Sequence, residues 1–212
     1  MPIDPNETAV EGEEKVFSAH EDAAPVNTPR RESSDRSLFI YTIVAIAIAL
    51  FIRFFVAAPY MVSGPSMEDT FHNHDYLIID RLSYRIETPE RGDVVVFKRP
   101  GGSDTLIKRV VGLPGETISL RDTEVVIVNA ENPKGFTLSE PYVVPDDRGG
   151  PSNMTITLAP DHYFVMGDNR KVSYDSRSWG TLPRENIVGR VIVRLYPFSD
   201  MRLLPGEARY SL

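Results

Sequence analysis

The strongest constraint on the fold of this chain is an apolar run near its start, Leu38 to Ala58, reading LFIYTIVAIAIALFIRFFVAA. As one helix, at about 1.5 Å per residue, it would reach roughly 31 Å, the thickness of a bilayer core. Its one charge, Arg53, stands near an end, from which a long side chain can reach the headgroups. Arg30, Arg31 and Arg36 precede it, and no basic residue follows Arg53 until Arg81. Lys/Arg asymmetry therefore predicts a single-pass membrane anchor with the N-terminus in the cytoplasm and residues 59–212 outside. A cleavable leader is the competing reading, but the charged region before the run is too long and the apolar core too extended for one.

The segment before the run, residues 1–37, holds nine Asp/Glu against four Lys/Arg, so it carries −5 of the chain's net −7. Acidic, proline-bearing and poor in aromatics, it is predicted to be a disordered tail. The near-neutral remainder excludes nucleic acid as a partner, because a phosphate backbone demands a basic face. With no cysteine, thiol catalysis, disulfides and thiolate metal sites are excluded too.

After Tyr60 the pattern changes to short β-branched runs separated by Gly, Pro and Asp. Strands are predicted at 76–80, 94–98, 106–111, 117–120, 125–129, 154–158, 163–166 and 187–195. The expectation is a mainly β extracytoplasmic domain, antiparallel and barrel-like, with a small inserted β subdomain over about 121–160.

Two residues within it can carry chemistry. Ser66 lies in Ser63-Gly64-Pro65-Ser66-Met67, where glycine and proline fix the chain direction and can expose a hydroxyl and its own N–H together. Lys108, 42 positions on, lies in a strand pattern; alternation gives it the face of Leu106 and Val110, and Arg109 the opposite face with Ile107 and Val111. Burial lowers a lysine's pKa, and a neutral lysine can activate a serine. Taken singly, SGPSM reads more readily as a surface turn and Lys108 as an exposed edge residue. A third cluster, residues 167–180 (GDNRKVSYDSRSWG), is dense in polar groups; Ser173 can orient the lysine, with Asp175 and Arg177 paired to hold the loop. A Ser-His-Asp arrangement must recruit His72, His74 or His162, and a metal site from His72, His74 and Asp75 lacks helical ligand spacing.

Together, GPSM at 64–67, RGDVVVF at 91–97, KRVVGLPGE at 108–116, the 167–180 cluster and VGRVIVRLYPF at 188–198 resemble the bacterial type I signal peptidases, which use a Ser-Lys dyad. The resemblance implies Ser66 as nucleophile, Lys108 as general base and Ser173 hydrogen-bonded to the lysine. It also implies Asp175 and Arg177 as supports and the Ser66 N–H as an oxyanion donor. Gly64 stands where some members carry a serine that adds a hydroxyl to that site, leaving backbone donors or Ser63. Asp69 replaces a usual proline, which should alter the local turn. Phe54, Phe55, Tyr60, Met61 and Met67 are expected to keep the lysine dry near the lipid. The implied partners are preprotein signal peptides with small residues at −1 and −3 and the lipid bilayer, with no metal or other cofactor and a monomeric state. The rivals are a self-cleaving Ser-Lys protease of the repressor type, a tethered β-domain that only binds partners, and a cell-wall or pilus peptidase of narrower range.

Overall fold

A computed structural model describes residues 32–147, 149, 153–208 and 210, giving backbone alone for 32–35, 54, 55 and 147. Residues 1–31 of the expected disordered tail lie outside the described residues, as do the side chains of Phe54 and Phe55. The chain divides at Thr42 into two compact units, of which Ile43–Leu212 holds every strand.

The apolar run does not form one helix. Helix α1 covers Glu32–Phe51, opening inside the acidic segment. A wider π turn follows at Ile52–Val56, and Ala57–Met61 is strand β1. Among the described residues no helix is long and apolar enough to cross a membrane. The last residues of the run pair instead: Ala57 and Ala58 face Asp80 and Ile79 of the neighbouring strand. An apolar sequence fits a helix or a buried strand equally well, and hydrogen bonding to a partner decides between them.

The remaining strands are β2 (Tyr76–Asp80), β3 (Val94–Lys98), β4 (Thr105–Gly112), β5 (Thr117–Arg121), β6 (Glu124–Val128), β7 (Phe136–Thr137), β8 (Met154–Thr157), β9 (His162–Met166), β10 (Leu182–Pro183), β11 (Ile187–Tyr196) and β12 (Arg202–Leu203). The larger sheet runs β1-β2-β11-β3-β4-β9-β10, with β12 added to β11; the smaller runs β7-β6-β5-β8. Every pairing is antiparallel. The domain is thus mainly antiparallel β, as expected. The barrel is not closed, because the end strands β1 and β10 do not pair.

Strand β4 runs through the interior of the larger sheet and is buried on both faces from Lys108 to Gly112. Leu106 and Val110 pack with Val95, Phe97 and Tyr163, Ile107 packs with Val62, Met67 and Val96, and Val111 joins the core of the smaller sheet. A charge on either face of β4 therefore enters a core and needs a partner there.

Candidate active site

The loop between β1 and β2, residues 62–75, carries Ser66. Two apolar anchors, Met67 and Phe71, are fully buried beneath it. A single helical turn closes on them, with the Phe71 N–H donating to the Met67 carbonyl at 2.7 Å. Beneath that turn Arg194 pairs with Asp75 at 3.1 Å, and its guanidinium lies 4.9 Å from the Phe71 ring centre. Gly64 adopts φ +96°, a left-handed conformation that suits glycine, and its N–H donates to Asn73 Oδ1 at 3.0 Å. That donor is committed, whereas the Ser66 N–H donates to no protein acceptor among the described residues.

Lys108 reaches this loop from β4. Its Nζ lies 2.6 Å from Ser66 Oγ and 2.9 Å from the Ile107 carbonyl, with the residue only 3% exposed. Burial lowers its pKa to about 8, against the opposing pull of the Asp175 and Asp168 carboxylates; Arg177 acts in the same direction as burial. No hydrogen bond joins His72 or His74 to Ser66: His72 donates its N–H to Asp75, and His74 contacts Asn73.

A small cavity of about 100 Å³ opens beside the pair, lined by Tyr60, Met61, Val62, Ser63, Leu77 and Ile107. Met67 lies beneath, and Met61 is largely exposed at the rim. A larger cleft of about 730 Å³, bordered by Tyr84, Pro89, His162 and Arg184, contains neither Ser66 nor Lys108.

The segment after β9 presses on the same loop. The Asn169 N–H donates to the Ser66 carbonyl at 3.2 Å. Asp175 and Arg177 form a doubly hydrogen-bonded pair at 2.8 and 2.9 Å, and Asp175 also accepts the Gly167 N–H. Arg177 donates onward to the Gly149 and Arg170 carbonyls, closing the loop on itself. Ser173 is buried here, but its hydroxyl has no hydrogen-bond partner, so it is not bonded to Lys108.

Sequence reasoning gave Arg109 no role, yet among the described residues it is the largest fully buried side chain. It meets Asp168 through two hydrogen bonds of 2.8 and 2.6 Å, and the Thr70 hydroxyl donates to the same carboxylate. Another buried pair joins Arg170 to Glu140. The available signal was an arginine inside an otherwise apolar strand, which needs a buried counter-charge, but nothing local says which one.

Residues 36–196 match the model of a family described as signal peptidase, peptidase S26. Among curated relatives, a probable signal peptidase I-2 of Synechocystis is 38% identical over 78% of this chain and 75% of its own length. A signal peptidase I of Leptolyngbya laminosa is 38% identical over 79% of this chain and 82% of its own. Signal peptidase I S of Bacillus subtilis is 34% identical over 76% and 88%. Among solved structures, a signal peptidase I from Enterococcus faecalis is 32% identical, with a TM-score of 0.42 over 50% of this chain and 97% of that one.

Proposed function

This chain belongs to the signal peptidase family, peptidase S26, and we propose that it removes N-terminal signal peptides from exported preproteins at a membrane, using Ser66 and Lys108 as its dyad. The observation that carries the reading is the buried 2.6 Å contact between Lys108 Nζ and Ser66 Oγ. With its pKa lowered to about 8, Lys108 is neutral in a useful fraction of molecules near neutral pH. Neutral Nζ takes the hydroxyl proton as Oγ attacks the carbonyl carbon of the scissile bond. The ammonium then returns a proton to the leaving amine, the C–N bond breaks and an acyl-enzyme remains. Lys108 next takes a proton from water, which adds to the ester carbonyl, and Ser66 leaves with its proton restored. The uncommitted Ser66 N–H is the oxyanion donor, with exposed Ser63 beside it.

The small cavity at the dyad suits the small side chains of an A-x-A-like site. Asp175 and Arg177 hold the 167–180 loop against the Ser66 carbonyl, and Ser173 packs within it. Membrane attachment is supported by the exposed apolar residues of α1 and by a second exposed set, Met61, Tyr76, Tyr196, Phe198 and Leu203. Four of the latter set are contiguous: Met61 pairs with Tyr76, Tyr76 with Tyr196, and the Tyr196 and Phe198 rings meet at 5.7 Å. Such a patch lies naturally in a lipid interface. The arginines before the apolar run favour a cytoplasmic N-terminus and an extracytoplasmic catalytic domain.

The test is cleavage of a preprotein bearing an A-x-A site, in lipid or detergent, by the wild type and the Ser66→Ala and Lys108→Ala variants. Scission after the second alanine that both substitutions abolish is expected. Variants as active as the wild type refute the dyad, and a folded but inert wild type refutes the substrate.

A further inference from the structure

The family match ends at residue 196, yet a segment beyond it reaches the centre of the catalytic domain. The Gly206 carbonyl accepts a hydrogen bond from Arg109 Nη1, which also donates to the Gly92 carbonyl at 2.9 Å. The other face of the same guanidinium engages Asp168, which accepts from the Thr70 hydroxyl. Thr70 belongs to the Ser66 turn, its N–H donating to Met67 at 3.0 Å. Asn169, next to Asp168, holds the Ser66 carbonyl, and Arg109 is bonded in sequence to Lys108. Four residues after Gly206, the Tyr210 hydroxyl donates to that of Tyr142, whose ring lies 3.9 Å from the Arg109 guanidinium.

The approach is tight. Gly206 has φ +76°, and a Cβ there would sit 2.5 Å from Thr70 Cγ2 and 3.2 Å from the Phe71 ring. Thr70 cannot easily yield, because its branched side chain is stiff and its hydroxyl is tied to Asp168. At Gly92, a Cβ would meet the Ala208 carbonyl at 2.1 Å. The segment is therefore bonded at Gly206 and Tyr210 and passes close over Gly92 at Ala208.

We propose that residues 206–208 and 210 act as a strap that positions the catalytic pair, with the Gly206 carbonyl fixing Arg109 and, through Asp168 and Thr70, the Ser66 turn. The strap touches no substrate and acts through the spacing of Ser66 and Lys108. This rests on the dyad reading above, so its test includes a measurement that needs no catalysis.

The test compares the full-length wild type, Gly206→Ala, and Gly206→Ala combined with Thr70→Ser, which removes Cγ2 but keeps the hydroxyl for Asp168. In Gly206→Ala, kcat on an A-x-A preprotein should fall about tenfold or more while KM stays within about twofold, the signature of lost alignment. The apparent pKa of kcat/KM should move up from about 8 as water reaches Lys108, whose charged neighbours Asp175, Asp168 and Arg177 remain in place. Amide exchange over residues 64–71 should quicken while the smaller sheet is unaffected. Adding Thr70→Ser should raise kcat about threefold or more. Wild-type kcat, pH profile and exchange in Gly206→Ala overturn the strap, as does exchange that rises uniformly across the domain. If the wild type cleaves nothing but exchange couples residue 206 to residues 64–71, the strap stands and the assigned activity falls.

Discussion

Replacing Lys108 by methionine should remove activity and at the same time stabilise the protein. The lysine is held where its pKa is about 8 rather than 10.5. At about 1.4 kcal/mol per unit, holding it charged in the fold costs about 3 kcal/mol relative to the unfolded chain. Methionine fills a similar volume without that penalty. It gives up the contacts to Ser66 Oγ and the Ile107 carbonyl, which return about 1 kcal/mol of the gain. A net stabilisation of about 2 kcal/mol at pH 7 follows, or a Tm higher by roughly 4–8 °C for a domain of this size. The pH dependence carries the sign. Between pH 8 and 10.5 the unfolded chain binds a proton that the folded chain releases, so wild-type stability rises with pH across that window. The advantage of Lys108→Met should be full below pH 8 and shrink by about 3 kcal/mol by pH 10.5. Denaturant unfolding of both proteins at pH 6, 7, 8, 9 and 10 measures it. A variant less stable than wild type at pH 7, or a difference that does not change with pH, refutes the argument that Lys108 is strained by burial.

Ser66→Ala should lose activity by about 10³-fold or more while its stability stays within about 1 kcal/mol of wild type, as activity assays and melting curves would show. Asp168→Ala leaves the Arg109 guanidinium buried without its counter-charge, and should cost about 3–5 kcal/mol in denaturant unfolding. Arg177→Lys cannot reproduce two parallel contacts to Asp175, so kcat should fall about tenfold with the fold retained; unchanged kinetics would remove the loop from the account. Phe198→Ser with Leu203→Ser, at two side chains each 76% exposed, should weaken binding to phospholipid vesicles several-fold. Undiminished cosedimentation would exclude that patch from membrane contact.

The strands that β-branched runs announced are present, but the 2.6 Å contact between Lys108 Nζ and Ser66 Oγ is a matter of coordinates that no motif shows. What stayed hidden depends on pairing across long separations. Ala57 and Ala58 read as the tail of a helix because nothing local reveals that β2 will pair with them. Alternation put Lys108 and Arg109 on opposite faces, but could not say that both faces are buried, since this requires a second cluster and the smaller sheet. Asp168 lies 59 residues from Arg109, and no periodicity links them. The resemblance tied Ser173 to the lysine, whereas its hydroxyl is buried without a partner; packing places the side chain, and small rotations decide its bonds. Short strands such as β7, β10 and β12 leave no pattern because they hold only two residues each.

Whether a neutral Lys108 activates Ser66 is read from the pH profile of kcat/KM on an A-x-A preprotein. The rate should rise through one ionisation near pH 8 and reach a plateau above it, with no activity at any pH in Lys108→Met. A flat profile from pH 6 to 10, or a Lys108→Met variant that retains cleavage, would contradict it.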